Sequence, residues 1–230
     1  MLHTVNLKKI SNLSFCVNEA YKSLRTNIQF CGSEIKTICI TSCIPNEGKS
    51  NVSFNLARSL AECDKKVVFI DADLRKSVII GRYKPDQHVM GLTHYLSGLN
   101  KIEEIVYGTN IENLDVVFAG AVPPNPAELL DGENFGDLLI IFRKIYDYII
   151  IDTPPIGSVI DSAIIARQCD GVVLVVEANA ISYKFAQRSI LQLQRTQSKI
   201  LGAVLNKFDN EGKQYGYNNR KYKKYQEYYS

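Results

Sequence analysis

The segment Cys43-Ile-Pro-Asn-Glu-Gly-Lys-Ser50 sets a glycine, a lysine and a hydroxyl in consecutive order, directly after the apolar run Ile38–Thr41 and directly before a helical pattern. Binding of a polyphosphate needs this strand–loop–helix setting, because backbone N–H groups at a helix N-terminus favour an anion. Gly48 lets the backbone approach closely, Lys49 can reach the β- and γ-phosphates, and Ser50 can ligate Mg²⁺. Pro45, Asn46, Glu47 and Asn51 complete the expected nucleotide loop, while Cys43 stands where the usual motif begins with glycine. A Gly-Lys-Ser tripeptide alone also opens ordinary helices, so the reading depends on further carboxylates.

Two segments supply them. Val67–Ile70 runs into Asp71-Ala-Asp73-Leu-Arg75, and Ile149–Ile151 runs into Asp152-Thr-Pro-Pro155. Both place acids at the carboxyl ends of apolar strands, the edge where open α/β sheets bind ligands. Asp152 has the form of a Walker B carboxylate that holds Mg²⁺ directly or through water, with Ser50 as the other ligand and Asp73 assisting. Asp71 is the candidate acceptor of a proton from an incoming hydroxyl, alongside Lys49 and Asp73 as catalytic groups. Asn206, in Leu205-Asn-Lys207, either ends its strand or, as a resemblance to ATPases with a similarly placed Asn implies, hydrogen-bonds an adenine edge.

These residues need a scaffold that delivers them to one edge. Short apolar runs at Thr37–Thr41, Lys66–Ile70, Leu114–Phe118, Tyr148–Ile151, Val172–Val176 and Ile200–Leu205 alternate with helical patterns at Lys49–Glu62, Ala127–Ile145, Ile160–Gln168 and Ser182–Thr196. The rhythm predicts an α/β fold: a doubly wound, mostly parallel sheet with helices on both faces. A helix is expected over Val17–Phe30, where Glu19, Lys22 and Arg25 recur every three residues as a charged flank.

Composition bounds the rest. At 230 residues and 46% hydrophobic side chains the chain can bury one substantial core, read as a domain over 1–207 followed by a tail over 208–230. A net charge of +3 implies no nucleic-acid partner. The six cysteines form no C-x-x-C pair and no zinc spacing, and no apolar run is long enough to span a bilayer, so the expected location is the cytoplasm. The tail holds Tyr215, Tyr217, Tyr222, Tyr225, Tyr228 and Tyr229 among Arg220, Lys221, Lys223 and Lys224, with almost no aliphatic side chains. It is expected to be flexible, and to serve either as an aromatic, basic segment for RNA or a membrane surface, or as a cluster of phosphoacceptors. Each phosphate would add about −1.5 to −2 and together they would reverse the tail's charge.

The residues resemble the bacterial tyrosine kinases (BY-kinases), of the CpsD/CapB type that accompanies capsular and extracellular polysaccharide systems. The resemblance runs through Glu19-Ala-Tyr-Lys22-Ser-Leu-Arg25, Pro45–Ser50, Phe69-Ile-Asp-Ala-Asp-Leu-Arg75, Gly120-Ala-Val-Pro-Pro-Asn-Pro-Ala-Glu-Leu-Leu130, Ile151-Asp-Thr-Pro-Pro155 and the tyrosine-rich end. It implies an ATP- and Mg²⁺-dependent tyrosine autokinase that phosphorylates its tail between subunits of a homo-oligomeric ring. It further implies a separate membrane-bound activator that recruits the chain to the inner face of the cell membrane, and a cognate tyrosine phosphatase. Glu19, Lys22 and Arg25 would be the subunit contact, with Lys22 replacing the family's first arginine; Cys43 and Asn51 replace its usual Ser and Thr. Partitioning ATPases of the MinD/ParA type share the fold and the Asp-x-Asp strand but carry a further lysine early in the loop, and none occurs between Thr37 and Gly48.

Overall fold

Strands that are apolar at every position need cover on both faces, and they receive it. The computed structural model describes residues 3–208, which form strands β1 (His3–Val5), β2 (Thr37–Ser42), β3 (Val67–Asp71), β4 (Val106–Thr109), β5 (Leu114–Val117), β6 (Tyr148–Asp152), β7 (Gly171–Glu177) and β8 (Ile200–Asn206). The helices are α1 (Phe15–Phe30), α2 (Lys49–Ala61), α3 (Ile79–Tyr83), α4 (Leu92–Leu96), α5 (Pro126–Asp131), α6 (Glu133–Ile145), α7 (Asp161–Ala166) and α8 (Tyr183–Gln194). The sheet runs β1-β4-β5-β3-β6-β2-β7-β8, parallel throughout except where β4 meets β5.

Side-chain alternation divides the core into two layers. Ile38, Ile40, Phe69 and Ile150 pack with Phe54, Leu56 and Leu60 of α2, whereas Cys39, Val68, Ile70 and Ile151 pack with Phe135, Leu138 and Phe142 of α6. Every residue of β2 and β3 is buried. Chain order and sheet order part company here, since β2 and β3 lie on either side of β6. Such a switch point opens a crevice beyond the strands' carboxyl ends.

The doubly wound sheet and its six expected strands are present, with ends moved by a residue. Two strands at one end of the sheet, β1 at its edge and β4 beside it, carry too little pattern to be read from sequence: one has three residues and the other contains Gly108. The single helix expected over Ala127–Ile145 is two, because Gly132 is extended (φ −70°, ψ 159°) and ends α5 before α6 begins. The expected tail and its six tyrosines lie outside the described residues.

Candidate functional site

Loop 43–48 owes its shape to Glu47, which folds back inside it. Its two carboxylate oxygens accept from the backbone N–H of Ile44 (2.8 Å) and of Glu177 at the end of β7 (3.2 Å). Asn46 (φ 69°) and Gly48 (φ 89°) both take left-handed backbone. A β-carbon at Gly48 would stand 2.1 Å from Asn206 Nδ2, so both the turn and the close approach call for glycine here. Gly48 is also the N-cap of α2, and no side chain caps that terminus. The helix start is therefore available to a phosphate.

Lys49 Nζ donates to Asp73 Oδ2 (3.1 Å) and to Ser50 Oγ (3.1 Å) and stands 3.6 Å from Asp152 Oδ2. Burial alone would lower the lysine's pKa, but the Asp152 and Asp73 carboxylates outweigh it and hold it above its usual range. Asp71 and Asp152 are register partners on β3 and β6, which sets two carboxyls side by side. Burial, reinforced by Asp152, pushes Asp71 up to about 8, against the opposing hydroxyl of Ser77, which donates to it, and the charge of Lys49. Asp152 is raised too, chiefly by burial, with Lys49 pulling the other way.

Neither carboxylate oxygen of Asp152 accepts a hydrogen bond from the described residues, although both are buried. Next to Ser50, an orphaned acid of this kind fits a divalent cation. No group of three or more His, Cys, Asp or Glu among the described residues is arranged to hold a metal unaided. Mg²⁺ commonly binds through one or two carboxylates plus substrate phosphates, and this residue set matches that habit.

The crevice has a volume of about 640 Å³. Of the expected residues, Pro45, Asn46, Gly48, Lys49, Ser50, Asn51, Asp73 and Asn206 line it. Cys43, Glu47, Asp71 and Asp152 are buried behind the lining. Asn206 Nδ2 donates to the Glu47 carbonyl (2.8 Å), so it does more than end a strand: it braces the loop. Lys207, which sequence reasoning passed over, adds a second brace through Nζ to the Asn46 carbonyl (2.8 Å) and to Glu177 (2.8 Å).

Three further cations border the crevice: Arg75, Lys76 and Arg82. Arg75 makes a two-pronged pair with Asp161 (2.8 and 3.0 Å), a fully buried acid at the start of α7. Asp161 had no sequence signal, since 86 residues separate it from its partner.

The charged trio of α1 divides. Glu19 and Lys22 pair on the surface (2.7 Å), whereas Arg25 turns inward to the Ser59 carbonyl on α2 (2.7 Å). Six helical residues turn through about one and two-thirds revolutions, so Arg25 leaves the flank that Glu19 occupies. Among the described residues, no helix is long and apolar enough to cross a membrane.

The AAA-domain family profile matches residues 35–208, which contain the whole of this site. A tyrosine-protein kinase CpsD of Streptococcus agalactiae is 46% identical over 198 residues, covering 86% of this chain and 86% of that relative. Among solved structures, the kinase domain of the Escherichia coli tyrosine kinase ETK matches with a TM-score of 0.82 at 33% identity, covering 91% of this chain and 86% of that one. The septum site-determining protein MinD of Pyrococcus horikoshii, solved with Mg-ADP, matches with a TM-score of 0.65 at 25% identity, over 77% of this chain and 72% of that one.

Proposed function

The chain belongs to the bacterial tyrosine-kinase family of the CpsD type, and on that premise we propose that it transfers the γ-phosphoryl group of ATP to tyrosines of its own segment 215–229. The observation that carries the reading is the buried cluster of Lys49, Asp73 and Asp152 under an uncapped helix start. Phosphoryl transfer needs positioning and charge stabilisation more than covalent chemistry, and this cluster offers both.

Lys49 exchanges its carboxylate partners for the β- and γ-phosphates, and the N-terminus of α2 receives the remaining charge. Ser50 and Asp152 would hold Mg²⁺, which would neutralise phosphoryl oxygens and draw down the pKa of nearby carboxyls. Asp71 accepts the phenolic proton. Asp73, at the crevice surface, is the first carboxylate that the phenol meets.

The acceptor segment is supplied in trans by a neighbouring subunit of a homo-oligomer, with Glu19 and Lys22 in the contact. A membrane-bound partner contributes the cytoplasmic segment that activates transfer, a tyrosine phosphatase reverses it, and the output is control of capsular or extracellular polysaccharide synthesis. Mass spectrometry of segment 209–230, after incubation with MgATP and an activator segment, tests the reaction. Phosphotyrosine that vanishes in Lys49→Met supports the proposal. Rapid ATP hydrolysis with an unmodified segment would point instead to a positioning ATPase.

A further inference from the structure

Behind the wall of the nucleotide crevice lies a second groove. The wall is thin in sequence: Ser158 and Val159 line the crevice, and Ile160 lines the groove. The groove runs between α7 and α8 with a volume of about 870 Å³, within the range of small-ligand sites. Apolar side chains Ile160, Ile164 and Leu191 line it, and Ile160 and Leu191 remain 55% and 56% exposed. Arg167, Arg188 and Arg195 line it as well. Arg167 pairs with Asp131 at 2.8 Å, whereas the guanidinium groups of Arg188 and Arg195 have no hydrogen-bond or ion-pair partner among the described residues.

Two free guanidinium forks beside apolar side chains ask for a ligand that is at once a multivalent anion and an aromatic or aliphatic body. Guanidinium binds phosphate with two parallel hydrogen bonds and is weakly hydrated, so such a pair favours phosphate over a lone carboxylate. We propose that the α7–α8 groove is a phosphotyrosine-binding site whose occupant is the phosphorylated form of this chain's own segment 209–230. The assignment rests on the kinase reading above for the source of the phosphate.

Reach and charge support that occupant. The described chain leaves the sheet at Phe208, just past β8, which is hydrogen-bonded to β7. Helix α8 has 12 residues and so spans about 18 Å. Tyr215 lies seven residues beyond Phe208 and reaches about 23 Å when extended, and Tyr222 reaches about twice that. Before modification, Lys213, Arg220, Lys221, Lys223 and Lys224 repel the arginines of the groove. After modification the sign reverses, since each phosphate adds about −1.5 to −2. The groove thus takes the product and not the substrate, and removes the product from the crevice next door.

The test is fluorescence anisotropy of a labelled peptide spanning residues 209–230, phosphorylated at Tyr217 and Tyr222, against the full chain. The chain is first dephosphorylated and held in saturating MgADP so that the crevice cannot take the phosphate. Expected is binding at least about tenfold tighter than that of the unphosphorylated peptide, lost in the double variant Arg188→Gln/Arg195→Gln and partly regained by Arg188→Lys/Arg195→Lys. A phosphoserine version should bind more weakly, because it leaves Ile160, Ile164 and Leu191 uncovered. Equal binding of modified and unmodified peptides, indifference to the arginine changes, or parity of phosphoserine with phosphotyrosine would each overturn the assignment. The peptide is made synthetically, so a chain that never modifies its own tail would sink the kinase reading while leaving this measurement intact.

Discussion

Helices α2 and α8 each follow a parallel strand and are nearly equal in length, yet α2 buries eleven of its thirteen residues and α8 only two of its twelve. Helix α2 lies in the middle of the sheet, with α1 packed over it and Phe54 stacked on Tyr83 at 3.9 Å and edge-on to Phe69. Helix α8 covers the margin, where β8 has solvent-exposed residues such as Leu205. The groups proposed to handle phosphate thus start a helix that is buried almost throughout, where a displaced atom costs most. Helix α8, with ten of its twelve residues not buried, leaves side chains free to change partners.

Several substitutions would sharpen or break that contrast. The largest effect is expected from Lys49→Met, which should lower phosphoryl transfer by at least about 10²- to 10³-fold, read as initial rate with MgATP. Next comes Phe54→Ala on α2, with a loss of about 3–5 kcal/mol in urea unfolding. Gly48→Ala should cost about 1–3 kcal/mol of nucleotide affinity by calorimetry, from left-handed backbone and collision with Asn206. A wild-type affinity in that variant would mean that the loop is looser than its contacts suggest.

A separate signal should appear in the pH dependence. Asp71 is raised to about 8 in the folded chain against about 3.9 when unfolded, so the folded state holds the extra proton between those values. Its contribution to stability is fully present below about pH 4 and is lost as pH rises through about 8. Asp71→Asn should flatten the fall in melting temperature over this window, and an unchanged slope would remove Asp71 as its source. The smallest effect belongs to Leu191→Ala on α8, about 0.5 kcal/mol or less, because that side chain is already 56% exposed.

How much could be read in advance follows the same division. Apolar runs and the Gly-Lys-Ser and Asp-x-Asp spacings are local, so β2, β3, β6 and the cluster around Lys49 were legible. Pairings that depend on the fold were not: Asp161 with Arg75, Glu47 with the N–H of Glu177, and Arg25 with Ser59 join residues 34 to 130 positions apart. Placement also separated acids that look alike in sequence. Asp73 reaches the crevice, while Asp71, two residues earlier, lies behind it because side chains at the end of β3 are buried. Gly132 did carry a readable signal, and the helical periodicity on either side masked it.

The brace from Asn206 to the Glu47 carbonyl spans 159 residues of chain. On a ribosome the phosphate loop emerges long before the strand that pins it, so a nascent chain displays Gly-Lys-Ser without a completed site. Closing so distant a contact is slow, because the entropy of the intervening chain is lost before the contact returns any energy. Nucleotide affinity therefore arrives late in folding and reports on assembly of the whole sheet. A ligand that recognises the braced loop then stabilises only finished molecules.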